Sequence, residues 1–131
     1  MSSTFRAYVP TRNLPENAGI SRALSSRGWA IQLPDSPALA EASGTFTIQV
    51  DGSPVELSVG VDAVSSLPEA DVAALGDSAA KVVKTTDVRI SFSGSDANST
   101  RWSRDVARGV ALLALGCFQD PTSGKTLHFG Y

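Results

Sequence analysis

Residues 87–124 read DVRISFSGSDANSTRWSRDVARGVALLALGCFQDPTSG, and this stretch decides the fold. Val88, Ile90 and Phe92 alternate with polar residues, the period of a strand with one buried face. Beyond Gly94, a helix needs a side chain that accepts a bond from its free N-terminal N–H groups. Ser95, Asp96, Asn98 and Ser99 all qualify, which sets the start to within about three residues. Trp102, Val106, Val110 and Leu113 then recur at steps of four, four and three. They form one helical stripe, which Ala107, Ala111 and Ala114 widen and where Gly109 allows close approach. Gly116 is placed to close the helix. Cys117 and Phe118 re-enter the core as a short strand, and the turn Asp120-Pro121-Thr122-Ser123-Gly124 leads to a last extended piece over Thr126–Phe129.

Upstream, Phe5, Ala7 and Val9 alternate with Arg6 and Tyr8 until Pro10 ends the run, a first strand over Thr4–Val9. Ile20, Ala23, Leu24 and Arg27 stand at helical spacing with Gly28 after them, so a helix spans about Pro15–Arg27. Trp29, Ile31 and Leu33 point inward from the next strand, which Pro34 stops. After a polar connector with room for a helical turn near Leu39, the alternation is the clearest in the chain: Phe46, Ile48 and Val50, then Val55, Leu57, Val59 and Val61. Asp51-Gly52 between these runs is a hairpin signal, because both residues tolerate the positive φ of a type I′ turn. Between Asp62 and Thr86 the pattern weakens. LPEADVAALG has the marks of a short helix, with Val72 and Leu75 able to reach a core, and DSAAKVVKTTD reads as either helix or loop.

This order predicts an α+β fold: a two-layer sandwich whose mostly antiparallel sheet of about five to six strands carries two main helices on one face. The 131 residues are the size of one domain, taken here as 1–131. A net charge of -2 with 18% charged residues gives no reason to expect nucleic acid or another polyionic partner. The opening MSSTFRAYVPTRNLPEN lacks a cationic segment followed by a long apolar run, and no window holds eighteen apolar residues, so neither a secretory signal nor a membrane span is expected. A single cysteine rules out an internal disulfide and thiol-based zinc sites, which suits a reducing, cytoplasmic setting.

No motif for a cofactor or metal emerges. Gly124-Lys125-Thr126 matches the end of a phosphate-cradling loop, but Gln119 stands where the first glycine belongs and only five residues follow Thr126, too few for the required helix. The loop SGSDANST lacks the spacing of a nucleophile elbow and reads as capping. His128 has no second histidine to join it. Cys117 would meet His128 across an antiparallel return, yet a nucleophile needs a lowered pKa and an exposed cleft, and Cys117 follows a helix-ending glycine as a small apolar residue would. Asp87, Asp96, Asp105 and Asp120 flank the central unit without a spacing that compels an acid–base pair.

Arg101, Arg104 and Arg108 follow one another at steps of three and four, which lines one helical flank with rigid carboxylate-binding forks. The structural alternative is a solvated face partly neutralised by Asp105. The ending ALLALGCFQDPTSG, a helix rich in alanine and leucine followed by a short strand and an Asp-Pro-x-x-Gly turn, resembles the C-terminal part of small bacterial α+β proteins that include toxin-neutralising immunity proteins. That resemblance implies a cytosolic protein that binds and occludes a toxin and has no chemistry of its own. The expectation is a non-catalytic protein-binding module with Arg101, Arg104 and Arg108 as its contact residues, and with sheet edges that leave room for a homo-oligomer. The alternatives are a regulatory domain holding a small metabolite between helix and sheet, and a small enzyme using Cys117 with His128 or the carboxylates.

Overall fold

The structure is a computed structural model that describes residues 4–28, 30–35, 37–120 and 125–128. Its strands are β1 (Thr4–Val9), β2 (Ile31–Gln32), β3 (Gly44–Val50), β4 (Ser53–Ala63), β5 (Val88–Ser93), β6 (Cys117–Asp120) and β7 (Lys125–His128). Its helices are α1 (Asn17–Ser26), α2 (Glu69–Ala73), α3 (Asp77–Val83) and α4 (Ala97–Ala114). All the strands join one antiparallel sheet in the order β2-β3-β4-β5-β1-β6-β7, so the fold is α+β. There are seven strands where five to six were expected, because the short pieces at both edges pair: β2 pairs two residues with β3, and β7 pairs four with β6. Trp29, the 121–124 turn and Phe129 of the expected elements lie outside the described residues.

The two main helices lie on the same face. The α4 stripe buries Val106, Ala107, Val110, Ala111 and Ala114, and α1 adds Ile20 and Leu24. They meet the inward residues of the strands: Phe5, Ala7 and Val9 of β1, Phe46 and Ile48 of β3, Leu57 and Val59 of β4, Ile90 and Phe92 of β5, and Phe118 of β6. Phe5 and Phe118 stack with ring centroids 6.4 Å apart. Full burial of one valine or leucine contributes about 1.5–3 kcal/mol, a large share of the roughly 5–15 kcal/mol that holds a domain folded.

The region with the weakest sequence pattern leaves β4 through a helical turn at Val64–Ser66 and then forms two short helices separated by Gly76 at φ 95°. This pair packs on the opposite face of the sheet. Leu75, Ala79, Val82 and Val83 form a second, smaller core with Tyr8 of β1 and Cys117 of β6, flanked by partly buried Val72. The molecule is therefore two-layered over β3 and β4 and three-layered where α3 covers β6 and β7.

Local chemistry explains the element ends. Asp51 (φ 52°) and Gly52 (φ 81°) turn the hairpin so that Val50 pairs with Ser53. Among the four capping candidates, Asp96 is the N-cap: its carboxylate accepts from the Ser99 amide at 2.7 Å, while Ser99 Oγ accepts from the Asp96 amide at 3.1 Å. At the other end the left-handed residue is Leu115 (φ 57°), not Gly116. Gly116 is required for a different reason, since a Cβ there would stand 2.0 Å from the Tyr8 carbonyl oxygen. Asn17 is buried at the start of α1. Its amide nitrogen donates to the Pro34 and Pro37 carbonyls, both at 2.8 Å, and its oxygen accepts from the Leu39 amide at 3.0 Å, which ties the connector after β2 to the helix.

Candidate functional site

With its apolar stripe spent on the core, α4 turns Arg101, Arg104 and Arg108 outward, all three exposed on one flank as their spacing predicted. Arg101 Nε lies 3.9 Å and Arg104 Nε 3.6 Å from the Asp105 carboxylate. Such exposed pairs contribute about 0–1 kcal/mol and leave the guanidinium groups free to exchange partners. Arg101 also sits over the Trp102 ring, 4.9 Å from its centroid, which restrains the side chain without using its donors. Arg101 and Arg104 border an open depression with Gly94, Ser95, Asp96 and Thr100 at the start of the helix. The helix beneath is rigidly set: its capping box holds one end, and at Gly94 an added Cβ would come within 2.3 Å of Ser99 Oγ.

The residues considered for catalysis are placed differently. The antiparallel return sets Cys117 opposite His128 in register. Cys117 is nevertheless 0% exposed, beneath α3, and burial pushes its thiol up to about 12. A thiol so protonated is a poor nucleophile near neutral pH. The candidate carboxylates are engaged in structure. Asp87 accepts from the Thr11 amide at 2.7 Å and from the Thr11 hydroxyl, Asp96 caps α4, and Asp105 sits between Arg101 and Arg104. Partial burial would raise the Asp87 carboxyl, but the Thr11 hydrogen bonds outweigh it and hold it below the usual range. The Ser99 amide and hydroxyl do the same for Asp96. Asp120 is half-buried on β6. Among the described residues no group of three His, Cys, Asp or Glu side chains is arranged to hold a metal, and no helix is long and apolar enough to cross a membrane.

A polar constellation on the sheet face opposite α4 escaped the sequence reading. The register aligns Asp62, Arg89, Tyr8 and Cys117 in one row across β4, β5, β1 and β6, and Gly60, Ser91, Arg6 and Gln119 in the next. Tyr8 is 1% exposed and its hydroxyl donates to Gln119 Oε1 at 3.1 Å. Arg89 Nη2 donates to Asp62 Oδ2 at 2.9 Å. Burial raises the Tyr8 hydroxyl against the opposing pull of Arg89 and Arg6, so it stays a neutral donor at physiological pH. Burial works against the Arg89 charge, yet its bonds to Asp62 and Tyr8 prevail and raise its pKa. The Nε atoms of both Arg6 and Arg89 are buried with no hydrogen-bond partner. The sequence did carry half of this signal, since alternation places Arg6 and Tyr8 on the outer side of the first strand. It held no clue that Arg89 would be their neighbour. No protein-family model, curated protein or solved structure matches the chain.

Proposed function

We propose that the chain is a non-catalytic protein-binding module that docks an acidic surface of a protein partner against the Arg101, Arg104 and Arg108 flank of α4. One observation carries the reading: three neighbouring guanidinium groups stand exposed on a rigidly capped helix with Asp105 as the only carboxylate paired to them among the described residues. Arginine forks bind carboxylates bidentately and are enriched where protein interfaces concentrate their energy. Within this class, the resemblance of the C-terminal stretch favours an immunity protein of the bacterial cytoplasm that occludes the active site of an effector toxin.

The test is co-purification with a toxin-like partner and protection of cells that express the toxin. Arg104→Glu should weaken the complex about tenfold or more, with a loss that shrinks as salt rises. A wild-type protein that captures no partner and protects no cell would sink the reading. An open cleft of mixed lining between α1 and the β2–β3 edge, bordered by Arg22, Gln32, Asp35 and Gln49 together with Ile31 and Leu33, favours as second reading a regulatory domain for a small metabolite. A saturable rise in melting temperature with a metabolite would support that alternative.

A further inference from the structure

We propose that the sheet face opposite α4, beside the part that α3 covers, carries an oxyanion-binding site centred on Arg6 and Arg89, built for a carboxylate or phosphate group. This site lies on the side of the sheet away from α4 and stands independently of the docking surface there.

The register makes Arg6 and Arg89 diagonal neighbours: Arg6 pairs with Ser91, two residues beyond Arg89 on β5, while Arg89 pairs with Tyr8. Diagonal positions on one face are about 7–8 Å apart, well within what two arginine side chains bridge by converging on one anion. Both Nε atoms are buried donors with no acceptor. A buried donor left unmet costs about 1–3 kcal/mol, and two guanidinium donors in one patch are a concentrated demand for acceptor oxygens.

The neighbours deepen that demand. Gln119, opposite Arg6 in register, accepts the Tyr8 hydroxyl at Oε1 and keeps its amide nitrogen as a further donor. Asp62 pairs with Arg89, whereas Arg6 has no acidic partner among the described residues. The cluster of Arg6, Arg89 and Asp62 therefore keeps one net positive charge. A cation or an apolar group would leave both Nε donors unmet, while a carboxylate or phosphate satisfies them with the charge-assisted, fork-shaped geometry arginine favours. The rigid sheet beneath fixes both Cα positions, so little ordering is needed on binding.

The deciding experiment titrates the folded protein with inorganic phosphate and, separately, with glutarate, following the arginine Nε–Hε cross-peaks by NMR and using sodium chloride at matched ionic strength as control. The expected result is a saturable shift of the Arg6 and Arg89 peaks with one or both oxyanions and none with chloride; the anion that saturates first tells phosphate from carboxylate. Arg6→Gln should weaken binding about tenfold or more. Arg6→Lys keeps the charge but removes the Nε donor, and should also weaken it, which covers the case in which Arg6→Gln does not fold. The doubly substituted Arg101→Gln/Arg104→Gln protein should bind as wild type, so failure here and failure of the α4 surface are read separately. Unmoved peaks, shifts reproduced by chloride, equal binding by Arg6→Lys, or loss of binding in the α4 variant would each overturn the proposal.

Discussion

Exposing the folded protein to a chromogenic disulfide at pH 8 asks whether Cys117 is a structural or a chemical residue. Its thiol is raised from 9.0 to about 12 by burial and it is 0% exposed. At pH 8 a thiol of pKa 9 is about one-tenth thiolate, whereas one of pKa 12 is about one ten-thousandth, so the native protein should react about a thousandfold more slowly than the urea-unfolded chain from ionisation alone. Shielding by α3 slows it further. The same shift predicts a pH trend. The folded state holds this proton more tightly than the unfolded one, so the associated stability is complete below about pH 9 and is lost as pH climbs from there towards 12. Cys117→Ala should flatten that part of the alkaline decline in a series of urea melts. Labelling of the native protein within about tenfold of the unfolded rate would refute the argument and reopen a thiol chemistry with His128.

Other outcomes follow from the packing. Asn17→Ala removes three hydrogen bonds to Pro34, Pro37 and Leu39 and should cost about 2–4 kcal/mol, read as a lower urea midpoint at unchanged slope; a loss below about 1 kcal/mol would mean the connector is not held there. Gly116→Ala drives a methyl group to 2.0 Å from the Tyr8 carbonyl oxygen, so β1 and β6 must separate, at about 3 kcal/mol; a melt like that of wild type would contradict this close approach. Leu115→Gly should stabilise the protein by up to about 1 kcal/mol, because relief of a left-handed leucine outweighs the added freedom of the unfolded chain. Leu115 is 54% exposed and loses little burial in that change, so a lower melting temperature would refute the strain.

What the sequence made legible was local. The Asp51-Gly52 hairpin, the α4 stripe and the Arg101, Arg104 and Arg108 flank each depend on residues within one or two turns of one another, and spacing alone specifies them. What it hid depends on partners far along the chain. Alternation assigned Tyr8 to the outer side of its strand, but could not say that Val82 and Val83 would arrive to cover it. For the same reason Cys117 was legible as apolar and its burial under α3 was not. The meeting of Arg6 with Arg89 follows from the pairing of β1 with β5, a register that neither strand states by itself. Leu115 was missed because glycine is the usual left-handed residue at a helix end, and Gly116 stood next to it with a separate task.

The place of β1 in the strand order bears on how the protein comes to be made. The first of these seven strands to be synthesised sits between β5 and β6, matching Val9 with Val88 and Ala7 with Phe118. Until β5 and then β6 are synthesised, β1 has neither neighbour, whereas β2, β3 and β4 each pair with the next strand in sequence. Contacts of such long span slow folding and keep apolar strand edges in solvent while the nascent chain waits. The apolar residues of β1, Phe5, Ala7 and Val9, wait longest for their partners, and loss of this strand would split the finished sheet through its middle instead of trimming an edge.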